Sequence, residues 1–177
     1  MDPVRMVAER VVRAGILALA GLVAGTAGTA SAQTGLVAAY GFEEASGTGV
    51  ADSSGRGNNG SISGATWTTS GRYGQALSFN GTNAYVEIPD SSSLDLTTGM
   101  TLEAWVYPTV QLSNWKAILQ KAVDAYLLSA STGGNVVGVG GTFAGSCCTE
   151  LQGPNALPVN QWTHVAGTYD GASLRLY

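Results

Sequence analysis

The chain has 177 residues, 11% of them charged, and a net charge of −4 from 8 basic and 12 acidic side chains. This charged fraction is far below the roughly 25% of an average soluble domain, which argues against a coiled coil or a charged disordered tail. The acidic balance offers no basic surface for a nucleic-acid backbone, and a single histidine excludes a His-rich metal centre.

The first 32 residues are typical of a secretory signal peptide. Arg5, Arg10 and Arg13 form a basic leader, an uncharged apolar run follows at Ala14–Ala24, and Ala30–Ala32 is a small-x-small cleavage site. The alternative is a membrane anchor, but glycines and hydroxyl residues interrupt the roughly 20 apolar residues that a bilayer span needs. We therefore expect a secreted protein, in solution or at the cell surface, whose mature domain occupies residues 33–177 without a membrane span.

After residue 33 the apolar residues alternate with period two, and clusters of Gly, Ser, Asn and Asp separate the alternating segments. The predicted strands are Leu36–Phe42, Ala76–Phe79, Ala84–Ile88, Met100–Tyr107, Ala117–Gln120, Ala125–Ala130, Val136–Val139, His164–Tyr169 and Leu174–Tyr177. In Met100–Tyr107 the even-numbered residues up to Val106 share one face. Hairpin turns are predicted at Asn80–Asn83 and Asp170–Ala172. The pattern indicates an all-β sandwich or jelly roll with almost no helix.

The last predicted strand contains Tyr177, the final residue. We therefore expect the gene to continue and the domain to be incomplete at its C-terminal end. A missing strand would leave an open hydrogen-bonding edge.

Four segments, taken together and in order, carry a family resemblance. They are Ala39–Glu44 with Ser46–Gly47, Asp52–Gly60, Gly74–Gly81 running into Tyr85–Pro89, and Met100–Val106 together with Trp162–Gly171. From about Leu36 to its end, the chain resembles the LamG-like domains of the concanavalin A-like lectin/glucanase superfamily. The resemblance implies a two-sheet antiparallel jelly-roll sandwich.

The loop Asp52–Gly60 is the most site-like stretch, because it offers a carboxylate, two amides and several glycines. Calcium takes six to eight such oxygens, and similar loops in LamG-like domains often hold a structural calcium. The resemblance implies Asp52, Gly57, Asn58 and Asn59 as ligands. The alternative is a plain turn in which Asp and Asn side chains bind their own backbone.

Aromatic side chains are the usual platform for a sugar ring. Trp105 and Trp162 lie in the strands that carry the resemblance and are expected to pack. Trp115 follows a loop-like segment, Gln111–Asn114, and is the better candidate for a ring that contacts a ligand, with Tyr73 and Tyr126 as weaker candidates.

The carboxylates do not form a catalytic pattern. Glycosidases need two carboxylates on opposite sides of the scissile bond, and the Glu-x-Asp-x-(x)-Glu run of laminarinase-type relatives does not occur. Glu43 and Glu44 are adjacent and would point to opposite faces of a strand, while Glu103 is alone on its strand. His164 is interpreted as a core or hydrogen-bonded strand residue. We therefore expect a protein that is not an enzyme.

Cys147 and Cys148 are neighbours in the sequence. Free exposed thiols rarely persist outside the cell, so a vicinal disulfide is predicted. Pairing with cysteines beyond Tyr177 and a reduced pair are the alternatives.

These expectations combine into an exported, calcium-stabilised recognition or adhesion module that binds polysaccharide or glycoprotein glycans. The alternative function is a structural or accessory domain of a larger secreted carbohydrate-active enzyme, with further domains in the same polypeptide.

Overall fold

The computed structural model describes residues 4–7, 13–14, 35–121, 125–143 and 145–177. The described residues form β-strands, loops and one short 3-10 helix at Ser92–Leu94, with no α-helix among them. The strands in chain order are β1 (Val4–Val7), β2 (Arg13–Ala14), β3 (Gly49–Val50), β4 (Gly60–Ser63), β5 (Thr66–Thr68), β6 (Ala76–Ser78), β7 (Tyr85–Ile88), β8 (Met100–Val106), β9 (Lys116–Lys121), β10 (Tyr126–Ser131), β11 (Gly138–Phe143), β12 (Ser146–Gln152), β13 (Thr163–Tyr169) and β14 (Leu174–Leu176).

These strands make one large and two small sheets. The large sheet has eight strands in the order β12-β11-β10-β9-β1-β7-β4-β3, and the small sheets have the orders β14-β13-β8 and β2-β6-β5. Every pairing is antiparallel. The prediction of an all-β, jelly-roll type of sandwich is confirmed.

The core lies where inward faces of different sheets meet. On β8, residues Met100, Leu102, Ala104 and Val106 are all buried, as their alternation predicts. Tyr169 on β13 stacks on Phe143 of β11, with ring centroids 4.2 Å apart, and so joins the small sheet to the large one.

Two local predictions are wrong. The segment Leu36–Phe42 is not a strand, although Tyr40 and Phe42 are buried. It is held by contacts to the following loop instead, such as the hydrogen bond that Ser53 N donates to the carbonyl of Ala39 at 2.8 Å. The segment Asn80–Asn83 is not a hairpin turn, because β6 and β7 belong to different sheets. The hairpin at Asp170–Ala172 is confirmed by the pairing of β13 with β14.

The predicted signal peptide, residues 1–32, lies mostly outside the described residues. Its two described pieces are β1, which pairs with β7 and β9, and β2, which pairs with β6. Export and cleavage remain predictions. In the part of the chain that the structure describes, no helix has the length and apolar character needed to cross a membrane.

Lys121, at the end of β9, is a buried cation with two acidic partners. It is only 6% exposed. Its ammonium group bonds to the carboxylate of Asp95 and lies 3.0 Å from that of Asp90. Burial disfavours the charged form, but the hydrogen bonds to Asp95 and Asp90 outweigh it and raise the pKa of Lys121 above its ordinary value of 10.5. The ion pairs therefore stabilise the folded state while Lys121 is protonated.

We expect Lys121→Met to lower the free energy of unfolding by about 1–2 kcal/mol at neutral pH, because a hydrogen bond to a charged group contributes about 1.5–3 kcal/mol and the apolar methionine avoids part of the cost of burying a charge. A raised folded pKa means that the contribution is complete below pH 10.5 and is lost as the pH rises through the folded value. The difference between parent and variant in urea unfolding should therefore shrink above about pH 11. Burial raises the pKa values of Tyr40 and Tyr126 as well, and since Asp95 and Asp90 also raise that of Tyr126, the comparison is made in a Tyr126→Phe background. A constant difference at all pH values would contradict the assignment.

Candidate functional site

A groove of about 590 Å³ lies on the outward face of β9–β12. The register of these strands places two rows of side chains across it. The first row is Gln120–Leu127–Gly140–Glu150 and the second is Ala117–Ser129–Gly138–Gln152. Because strands are about 4.8 Å apart, the distance from β9 to β12 is roughly 14 Å. The volume of the groove, about 590 Å³, is within the range of sites that hold small ligands, about 300–1,000 Å³.

A glycine on β11 shapes the floor of the groove. A Cβ atom on Gly140 would be only 2.6 Å from the carbonyl oxygen of Thr149 on β12. A larger residue at Gly140, which lines the groove, would push β12 away, so the shape of the groove depends on this glycine.

Trp115 lies at the β9 side of the groove with 56% of its surface exposed. The loop that carries Trp115 is held against the β10–β11 turn by a hydrogen bond and by packing of the ring. Asn114 has a left-handed backbone (φ 57°), and its N–H donates a 2.7 Å hydrogen bond to the side-chain oxygen of Asn135 in the β10–β11 turn. The ring lies over Gly133 of the same turn, where a Cβ atom would be 3.5 Å from the indole nitrogen. The indole is thus exposed and positioned.

Two buried polar atoms of lining residues have no hydrogen-bond partner among the residues that the structure describes. They are the hydroxyl of Ser129, a residue only 1% exposed, and Oε1 of Glu150. The other carboxylate oxygen of Glu150 accepts a 2.9 Å hydrogen bond from the side chain of Gln152. An unpartnered buried polar group costs free energy. Both atoms are shielded from the groove, since each has less than 1 Å² of accessible surface.

The comparison with protein families decides the classification. A laminin G family model, described as the concanavalin A-like lectin/glucanases superfamily, matches residues 80–177, more than half of the chain. The chain belongs to this superfamily. The matched region contains the whole groove but not the Asp52 loop. No curated protein and no solved structure gives a significant match.

Tyr126 does not lie in the groove, although the sequence predicted that it binds a ligand. It is 3% exposed on the inward face of β10, and its hydroxyl donates a 3.0 Å hydrogen bond to the carbonyl of Leu94. It contributes to the wall of a second cavity of about 430 Å³, which is lined mainly by apolar residues. The structure therefore does not bring Tyr126 and Trp115 together.

The Asp52 loop gathers its predicted calcium ligands around hydrogen bonds. Oδ1 of Asp52 accepts from the backbone N–H of Ala39 (2.9 Å) and Ser54 (2.8 Å), and Oδ2 accepts from the hydroxyl of Ser54 (2.7 Å) and the N–H of Asn58 (2.9 Å). Burial disfavours the ionised carboxylate, yet these hydrogen bonds outweigh it and lower the pKa of Asp52 below 3.8. The carboxylate is thus fully used as the centre of a turn.

Asn58 and Asn59, two of the other predicted calcium ligands, also accept hydrogen bonds from the chain itself. The side-chain oxygen of Asn59 accepts from the N–H of Asp52 (2.8 Å), and the carbonyl of Asn58 accepts from the hydroxyl of Tyr40 (2.5 Å). Gly57 has a left-handed backbone (φ 78°). Among the described residues, no group of three or more His, Cys, Asp or Glu side chains could hold a metal ion. These contacts favour the turn interpretation, and calcium remains a prediction.

The acidic residues considered for catalysis have structural partners. Glu43 accepts from the N–H of Gln75 (3.2 Å), and Glu44 accepts from the N–H of Ala51 (2.6 Å). Glu103 lies 3.5 Å from Nε2 of His164 on the outward face of β8 and β13. His164 is therefore a partly exposed strand residue rather than a core residue.

Cys147 and Cys148 are joined by a disulfide in the structure. Both residues are exposed, and Cys148 lines the groove beside Thr149 and Glu150. Sequence reasoning did not connect this pair with Trp115, because β12 was not among the predicted strands.

Proposed function

We propose that this domain binds short oligosaccharides in the groove of β9–β12 and does so without catalysing a reaction. The observation that carries the proposal is an exposed, positioned indole at the side of a groove that polar side chains help to line. An aromatic face suits the apolar C–H face of a sugar ring, and such sites combine apolar surface with a few polar groups. Membership of a superfamily of lectins and glucanases supports the carbohydrate class of the ligand.

The polar groups of the groove suit a neutral ligand. Glu150 is the carboxylate among the described lining residues. A carboxylate would not attract a strongly anionic sugar, whereas it can bind sugar hydroxyls. Glycosidases use a pair of carboxylates, so a single acidic side chain supports binding rather than hydrolysis. The span from β9 to β12 favours a ligand of more than one sugar ring.

The natural ligands that fit this chemistry are the neutral chains of polysaccharides and glycoprotein glycans. Such a role requires that the protein is exported, which in turn requires that residues 1–32 direct secretion. Export is tested by detecting the gene product in the medium with Gln33 as its N-terminal residue.

The binding proposal is tested by Trp115→Ala. We expect calorimetric titration with cellotriose, laminaritriose, maltotriose and chitotriose to show binding of at least one of them. Loss of the stacking surface should weaken that binding at least tenfold, about 1.4 kcal/mol. Tyr73→Ala is the matched control, because Tyr73 is 50% exposed but does not line the groove. Binding of no sugar, or equal affinity in Trp115→Ala and the parent, contradicts the proposal.

Ser129→Ala is a control for both binding and folding. The hydroxyl of Ser129 has no partner among the described residues, so its removal should leave the melting temperature unchanged or slightly higher. Because this hydroxyl is shielded from the groove, the affinity of the same variant for the sugar should stay the same. A variant that loses both stability and affinity would indicate a structural hydroxyl instead.

A further inference from the structure

The Cys147–Cys148 disulfide lies within an irregularity of the β11–β12 ladder. Gly141 pairs with Thr149 and Phe143 pairs with Ser146, so the two cysteines together oppose the single residue Thr142. Two residues opposite one define a β-bulge. Cys148 has a left-handed backbone (φ 65°), a conformation that residues other than Gly, Asn and Asp seldom adopt. The disulfide therefore joins the two residues of the bulge.

This bond has little to contribute to global stability. A disulfide stabilises a fold chiefly by closing a long loop in the unfolded chain, and these cysteines are adjacent in the sequence. Both side chains are exposed, and β12 is the outermost strand of the large sheet. The effect of the bond must therefore be local.

The local effect concerns which side chains of β12 face the groove. With the bulge in place, Glu150 is opposite Gly140 and its carboxylate lies at the groove. A shift of β12 by one residue would move every side chain to the other face of the sheet. Glu150 would then leave the groove, whose described lining would lose its carboxylate.

We propose that the Cys147–Cys148 disulfide is a register lock that keeps Glu150 in the saccharide groove, so that the oxidised form binds the ligand and the reduced form binds it more weakly. The proposal rests on the proposed function. A phosphine reductant opens the bond by transferring two electrons to the two sulfur atoms. Both thiols take their protons from water, and the phosphine becomes its oxide with the oxygen of that water.

The test uses the full chain with the trisaccharide that binds best, before and after reduction by the phosphine. We expect at least a fivefold loss of affinity on reduction and in Cys147→Ser/Cys148→Ser. The melting temperature should change by less than ~2 °C, which is at most about 1 kcal/mol for a domain of this size. Cys147→Ser/Cys148→Gly should recover part of the affinity, because glycine adopts the left-handed backbone without the bond.

The register is read independently by NMR, from the cross-strand contact between Gly140 and Glu150. We expect the Gly140–Glu150 contact to weaken on reduction while the contacts of β8 with β13 persist. This measurement tests the change of register even if no sugar binds. Unchanged affinity and an unchanged Gly140–Glu150 contact after reduction overturn the register lock. If Trp115→Ala still weakens binding in that case, the proposed function stands without it. A fall of more than ~5 °C in melting temperature on reduction also overturns it, because the bond would then support the whole fold.

Discussion

Gly167→Ala is expected to lower the free energy of unfolding by about 1–3 kcal/mol, the usual effect of adding an atom to a filled core. Gly167 lies on β13 and faces β11 of the large sheet. A Cβ atom on Gly167 would be 2.4 Å from a methyl carbon of Val139 and 2.7 Å from its Cβ atom. Val139 is only 1% exposed and has no room to withdraw, so the two sheets would have to separate. Urea unfolding with an unchanged m-value measures the effect.

The contact itself is tested by a double variant. Val139→Ala removes the two methyl carbons but keeps the Cβ atom 2.7 Å away, so Gly167→Ala should cost less in the Val139→Ala background than in the parent without becoming neutral. Gly49→Ala is the matched glycine control, because a Cβ atom there would meet nothing within 4 Å. Additive effects of the two core substitutions would show that the sheets do not touch at this point.

The alternation of apolar residues predicted strand faces well wherever one face is buried. On β8 it identified the four inward residues from Met100 to Val106, because a strand with one buried face must place apolar residues at every second position. The same signal misassigned Leu36–Phe42, where burial comes without a ladder. The alternation of apolar residues indicates which side chains are buried, but it does not indicate which strands pair through hydrogen bonds.

The prediction of a hairpin at Asn80–Asn83 also failed because the sequence does not show which strand pairs with which. Two alternating segments joined by a short Gly-containing loop are the usual signal for a hairpin. Here the side-chain oxygen of Asn80 accepts from the N–H groups of Thr82, Asn83 and Ala84. These hydrogen bonds satisfy the loop locally while the chain crosses from one sheet to another. No local pattern distinguishes the two outcomes.

The site was predictable only in part. Loop composition identified Trp115, since the residues before it are typical of an exposed turn. Ser129 and Glu150 were missed, because the register of β10–β12 decides which residues face the groove. Tyr126 shows the same limit. It is on β10, three residues from Ser129, and odd spacing places the two on opposite faces.

Asp52→Ala is expected to lower the free energy of unfolding by about 2–4 kcal/mol, because hydrogen bonds to a charged group contribute about 1.5–3 kcal/mol each and the released donors regain some water. The carboxylate binds donors from Ala39, Ser54 and Asn58, and so ties three parts of the chain together. Asp170→Ala is the control. Asp170 also accepts backbone hydrogen bonds within a turn, from Ala172 and Ser173, but it is exposed, so its removal should cost less.

The pH dependence gives a second readout for Asp52. Its folded pKa lies below the ordinary value of 3.8, so its contribution is complete above that value and is lost as the pH falls through the folded pKa. The parent should therefore lose stability between about pH 4 and pH 2 more steeply than Asp52→Ala does. Parallel acid profiles of the two proteins would contradict an ionised Asp52 at the centre of the turn.

Calcium distinguishes the two interpretations of the same residue. If N–H and O–H donors satisfy the carboxylate, as in the structure, the cost of Asp52→Ala should be equal in excess calcium and in excess chelator. If Asp52 is a calcium ligand, the parent gains stability by about 2.7 kcal/mol at a hundredfold excess of calcium over its Kd, and the variant does not. Because all four hydrogen bonds to Asp52 come from the chain itself, we expect the first result. Thermal melting of both proteins under both conditions decides between them.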